Sequence, residues 1–176
     1  MTRLDQNRAV FQLAAKARVL VEEVTNVTIW GNHSSTQVPD FLNAKIHGRP
    51  AVDVISDRKW LENEFVQKIQ KRGAEVIAAR GKSSAASAAN AIVGSIRSLV
   101  EPTPEGEWFS LAVPSDKNPY GIPEDLVFSF PCKSQGKGDS SIVPGLAFDP
   151  FLKEKLRLTQ KELMEERDLV SHLLRG

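Results

Sequence analysis

The sequence predicts an α+β fold in which long helices pack on antiparallel sheet. Three observations lead there. Apolar residues recur at helical spacing through several long segments, short β-branched runs are bounded by turn residues, and strands and helices arrive in clusters instead of regular alternation. With 41% hydrophobic and 26% charged residues the chain can bury a core, and its 176 residues fit one domain or a large piece of a two-domain enzyme.

Residues 4–20 form the first predicted helix, with Val10, Leu13, Ala14, Ala17 and Leu20 on one apolar stripe. The β-branched run 24–30 predicts a strand that ends at Gly31-Asn32 and a polar stretch over 33–37. A short strand is expected over 49–55. A long helix over 60–80, with Gly73 inside it, directs Phe65, Val66, Ile69, Val76 and Ile77 inward. A further helix over 84–100 is expected to bury Ala85, Ala88, Ala89, Ile92, Ile96 and Leu99. Ser83 or Ser84 serves as its N-cap, and its small residues suit a tightly packed start. Pro102, Pro104 and Gly106 break the pattern. Strands over 107–113 and 125–130 flank a turn-rich 114–123, and 135–139 forms a hairpin tip. The closing helix, 151–174, aligns Leu152, Leu156, Leu163, Val170 and Leu174.

Charge and composition exclude several classes. A net charge of +1 without a lysine/arginine cluster argues against nucleic acid or an anionic membrane surface as a partner. No apolar run approaches the ~20 residues of a membrane helix. The single cysteine, Cys132, cannot form an internal disulfide and fits a reducing compartment. Met1-Thr2-Arg3-Leu4-Asp5 lacks the marks of a signal or transit peptide.

Two clusters could carry chemistry. Asp5 and Arg8, three apart in a first helical turn, lie about 60° apart around the axis and can face one cleft; alone, the pair also fits a local surface ion pair. His33 follows a strand and a glycine turn, where an imidazole can exchange a proton near neutral pH; alone, it also fits an exposed structural histidine. His47 and His172 have weaker settings. Gly81-Lys82-Ser83 lacks the first glycine and the loop of a phosphate-binding motif, and Gly136-Lys137-Gly138 is too short for a dinucleotide fingerprint. The histidines and the cysteine lack zinc-ligand spacing, so no metal is expected.

Together these residues become specific. Thr2-Arg3-Leu4-Asp5-Gln6-Asn7-Arg8-Ala9 and Ile29-Trp30-Gly31-Asn32-His33-Ser34-Ser35-Thr36-Gln37 closely resemble the signature of malate dehydrogenases of the cytosolic and chloroplast type. The resemblance continues through Gln70-Lys71-Arg72-Gly73, Ser83-Ser84-Ala85-Ala86-Ser87, Pro102-Thr103-Pro104-Glu105-Gly106-Glu107-Trp108 and Pro119-Tyr120-Gly121-Ile122-Pro123, and covers essentially the whole chain. The segments 37–45 and 131–134 look most like the chloroplast NADP-dependent enzymes. Those enzymes carry a cysteine-bearing C-terminal extension, whereas the tail here, 169–176, has no cysteine. Gln6 stands where histidine or glutamate is frequent, a change expected to be tolerated.

The resemblance implies that residues 1–176 are the C-terminal substrate-binding and catalytic domain of an enzyme that interconverts (S)-malate and oxaloacetate with NAD or NADP. His33 would be the acid–base residue, Asp5 its orienting partner, Arg8 the clamp on a substrate carboxylate, and Ser84 part of the substrate pocket. His33 and Ser84 would meet the nicotinamide end of the cofactor. The family's dinucleotide-binding Rossmann domain precedes this segment and is expected to be missing from the chain. The isolated chain is therefore expected to be inactive, as a fragment or a truncated product. A homodimer is expected in the full enzyme, with the first helix as a contact surface, in cytoplasm or chloroplast. A non-catalytic remnant retained for association and a lactate-type 2-hydroxyacid dehydrogenase are the alternatives.

Overall fold

A computed structural model describes residues 1–173. The first helix, α1 (Thr2–Ala17), starts and stops earlier than its periodicity suggests, because Arg18 turns left-handed (φ 57°) and returns its N–H to Ala14 and Ala15. Leu13 and Ala14 are buried as expected; Leu20 lies beyond the turn and is exposed.

The predicted strand 24–30 is two strands in two sheets, β1 (Val24–Thr25) and β2 (Thr28–Trp30). Asn26 splits the run: it takes φ 62°, a conformation Asn tolerates, and its Nδ2 donates to Gly106 O at 2.9 Å. β2 pairs antiparallel with β3 (Val38–Asp40), Ile29 opposite Pro39. The sequence pattern predicts no strand over 38–40, a run of three residues too short to show alternation; in a two-stranded pair the missing Pro39 donor is no loss. β1 pairs with β4 (Lys45–Ile46), which pairs with β5 (Arg49–Pro50).

The strand expected over 49–55 is mostly wrong. β5 ends at Pro50 and a helical turn, α2 (Ala51–Val54), follows. Burying Ala51 and Ile55, four apart on one helical face, outweighs the β preference of the intervening valines. The long helix expected over 60–80 is present as α3 (Arg58–Trp60), a π-helical turn (Leu61–Phe65) and α4 (Val66–Arg80), and it runs through Gly73 without a break. Phe65, Val66 and Ile69 are buried; Val76 is half-buried and Ile77 is half exposed, because the end of α4 projects past the core.

The helix α5 (Ala85–Val100) contradicts its predicted face more sharply. Only Ala91 is fully buried; Ala85 and Ala89 are exposed, Ile92 and Ile96 are exposed at 49% and 55%, and Val93 and Val100 with them. Ala88 and Leu99 are half-buried. Nor is the helix start tightly packed, since Ala85, Ala86 and Ser87 face outward. α5 is apolar on more than one side and rests chiefly on α1, so one stripe is covered and another stays open.

β6 (Phe109–Pro114) and β7 (Val127–Lys133) form the longest antiparallel pair, from Phe109 opposite Cys132 to Pro114 opposite Val127, and β8 (Ser141–Ile142) joins β7 across the expected hairpin. The closing helix is α6 (Pro150–Leu169), capped by Asp149, with Leu152 and Leu156 buried and Leu163 half-buried. Val170 falls past its end, and the expected Leu174 contact lies outside the described residues.

Two clusters fill the interior. One joins α1 to the β1–β4 region and α4 through Leu13, Val27, Ile29, Phe65 and Ile69; the other joins β6, β7 and α6 around Trp30, Phe128, Phe130 and Leu156. β2 contributes Ile29 to the first and Trp30 to the second, the alternation a strand imposes. The chain turns out of β2 between both cores, which fixes where His33 emerges. All strand pairings among the described residues are antiparallel, which agrees with the predicted α+β class.

Candidate active site

Helix α1 delivers Asp5 and Arg8 to one side, and the end of β2 delivers His33 opposite them. His33 Nδ1 lies 2.5 Å from Asp5 Oδ2, while Arg8 Nη1 donates to Asp5 Oδ1 at 3.2 Å. Asp5 is fully buried, Arg8 half-buried, and the His33 side chain 42% exposed. A carboxylate with no exposure needs partners for its charge, and here it has a cation on one oxygen and an imidazole on the other. The nitrogen that faces a carboxylate oxygen carries the ring proton, which leaves Nε2 with a free lone pair.

The placement is local in origin. Asp5 sits in the first turn of α1, where a negative charge suits the helix dipole. Next to it, Gln6 is buried and accepts the Ser110 N–H at 3.0 Å, while the Ser110 hydroxyl accepts the Ile29 N–H at 2.8 Å, so α1, β2 and β6 are tied beside the acid. Gly31 makes the exit from β2 possible. Its φ is +85°, and a Cβ there would stand 2.2 Å from Thr159 Oγ1 of α6. Trp30 donates to Asp40 Oδ2 at 3.0 Å and fixes the β2–β3 pair. Burial pushes the Asp40 carboxyl up, against four hydrogen bonds that hold it down.

Arg8 and Ser84 share a groove of about 930 Å³ between α1, α4 and the start of α5. Ser84 is the N-cap of α5, as expected, but its side chain makes no capping hydrogen bond, so its hydroxyl remains available to the groove. Lys68, Arg72 and Arg80 add positive charge to the same walls, with Glu75 among them. His33 does not line this groove; it connects to it through Asp5 and Arg8. Of the weaker histidines, His47 pairs with Glu23 at 3.3 Å and His172 lies in a 3-10 turn (Ser171–Leu173) after α6. Burial pushes the Cys132 thiol up to about 12.

Sequence reasoning missed the contribution of α6. Asn32 N donates to Thr159 Oγ1 at 3.0 Å, and Ser34 and Thr36 hydroxyls converge on Glu162. The available signal was Thr159, a polar residue on the apolar stripe of Leu152, Leu156 and Leu163.

The family model for the lactate/malate dehydrogenase alpha/beta C-terminal domain matches residues 2–173. The chain belongs to the lactate/malate dehydrogenase family. It is 58% identical to a malate dehydrogenase of Protochlamydia amoebophila over 99% of this chain and 53% of that protein. It is also 58% identical to the chloroplast NADP malate dehydrogenase of Flaveria bidentis, over 98% of this chain and 38% of that protein. Among solved structures, malate dehydrogenase from Naegleria fowleri matches with a TM-score of 0.89 at 40% identity, covering 98% of this chain and 52% of that one. Trichomonas vaginalis lactate dehydrogenase in complex with NADH and oxamate matches with a TM-score of 0.91 at 35% identity, covering 100% of this chain and 55% of that one. The chain thus spans about half the length, or less, of the relatives it matches. The resemblance drawn from the motifs is borne out.

The described residues do not form a dinucleotide cradle. Among the described residues no parallel strand–helix–strand unit or glycine-rich strand-to-helix turn occurs, and no cluster of His, Cys, Asp and Glu suits a metal ion. No described helix is long and apolar enough to cross a membrane.

Proposed function

We propose that residues 1–176 are the substrate-binding and catalytic domain of a malate dehydrogenase that interconverts (S)-malate and oxaloacetate. The observation that carries this reading is the Asp5–His33 contact with Arg8 on the same carboxylate. NAD or NADP, held by a dinucleotide-binding domain outside this chain, would accept the hydride. This chain's part is binding and proton transfer. His33 Nε2 takes the hydroxyl proton of malate as the C2 hydrogen leaves, and in the reverse direction returns it to the carbonyl oxygen. Asp5 holds the ring in the tautomer with the proton on Nδ1 and stabilises the imidazolium that forms. Arg8 uses one N–H group on Asp5 and offers the rest of its planar fork to a substrate carboxylate. Ser84 and the basic walls of the groove suit an anionic substrate.

The relatives at 58% identity bear the name malate dehydrogenase, which favours malate. The Trichomonas lactate dehydrogenase match favours a second reading, a 2-hydroxy acid with one carboxylate. Assaying the chain joined to a dinucleotide-binding domain with oxaloacetate and with pyruvate separates them. Preference for oxaloacetate is expected, preference for pyruvate selects the second reading, and turnover of neither refutes both. The isolated chain with malate and either cofactor is expected to show no cofactor reduction, since its described residues form no dinucleotide-binding unit. Homodimerisation in the full enzyme is supported by the open apolar stripe of α5.

A further inference from the structure

His33 has little packing of its own. Its side chain is 42% exposed, so its ring position depends on Asp5 and on the backbone that carries it. That backbone is gripped by α6. Glu162 Oε2 accepts from the Ser34 hydroxyl at 2.5 Å, the Thr36 hydroxyl at 2.5 Å and Asn32 Nδ2 at 3.2 Å. One oxygen serving three donors suits an ionised carboxylate, and every one of those donors comes from residues 32–36. Glu166 Oε1 takes Asn32 Nδ2 as well, at 2.9 Å. With its amide nitrogen held by two carboxylates, Asn32 must turn Oδ1 the other way, where it accepts the His33 N–H at 2.9 Å. Thr159 Oγ1 accepts the Asn32 N–H, and its methyl and hydroxyl fill the space a side chain at Gly31 would need. α6 does not need these bonds to stay in place, because Leu152 and Leu156 anchor it in the second core and Arg58 pairs with its cap residue Asp149.

We infer that Glu162 is a positioning residue for the acid–base histidine: it fixes the 32–36 loop, orients Asn32, and through the His33 backbone delivers the ring to Asp5. Thr159 and Glu166 assist from the same helix face. The inference rests on reading His33 as the acid–base residue, but its test needs no turnover, so failure of one is separable from failure of the other.

The test is long-range proton–nitrogen NMR of the 176-residue chain labelled at its histidine rings. The wild-type chain is expected to show His33 as one tautomer, with a far-downfield Nδ1 proton bonded to Asp5. Glu162→Ala is expected to lose that proton resonance and to average the two tautomers, while His47 and the amide signals of β6 and β7 stay where they are. Glu165→Ala, on the exposed side of α6 beside Lys161, is expected to keep the His33 signature. Ser34→Ala combined with Thr36→Val removes two donors from the other side of the clamp and is expected to repeat the loss; it decides the matter if Glu162→Ala does not fold. A folded Glu162→Ala chain with the wild-type His33 signature overturns the inference, as does a retained signature in the Ser34/Thr36 variant where that variant decides.

Discussion

Helices α5 and α6 stand in opposite relations to the rest of the molecule. α6 sends Leu152 and Leu156 into a core and Thr159, Glu162 and Glu166 onto the loop that carries His33. α5 buries little beyond Ala91 and leaves Ile92, Val93, Ile96 and Val100 open. The difference teaches where the site is finished. The Asp5–His33 contact lies within this chain, with Asp5 held by Arg8 and the His33 loop held by α6. The groove wall that α5 begins is apolar outside, in keeping with the proposed association beyond the chain.

Substitutions on the finished side should be severe, and those on the open side mild. The largest effect is expected for His33→Asn in the chain joined to its dinucleotide-binding domain. Steady-state turnover should fall by roughly two to four orders of magnitude, the range for a lost general base, with near-normal activity refuting the role. Gly31→Ala should cost about 3 kcal/mol in urea unfolding, from a φ of +85° and a clash with Thr159; a loss below about 1 kcal/mol would mean that α6 yields easily. Next comes Cys132. Its folded-state value is raised by burial, from 9.0 to about 12, so the native chain holds the thiol proton more tightly than the unfolded one. The thiol's contribution is present below pH 9 and is lost as pH rises toward 12, which Cys132→Ala should remove from a plot of stability against alkaline pH. The smallest effect is expected for Ile96→Ser, within about 0.5 kcal/mol for the isolated chain, because the side chain is 55% exposed. In the full enzyme the same change should weaken self-association on size-exclusion chromatography.

Much of this was legible in the sequence because it is local. Helical periodicity placed α1, α4, α5 and α6 to within a few residues, and the 2–9 and 29–37 motifs marked Asp5, Arg8 and His33. What stayed hidden depended on partners distant in the chain. The bend at Asn26 is stabilised by Gly106, 80 residues away. The covered side of α5 depends on what rests against it, which an apolar helix does not declare. Glu162 lies 128 residues from Ser34, and nothing in its own neighbourhood distinguishes it from the exposed glutamates around it.

The central claim is that Asp5 and His33 act as one proton-transfer unit. A double-mutant cycle on turnover in the assembled enzyme, using Asp5→Asn, His33→Asn and the pair together, tests it most directly. The account predicts that the double variant is about as slow as His33→Asn alone, since removing either member of a unit removes its function. Losses that multiply, with the double variant slower than either single one by the product of the two effects, would contradict it.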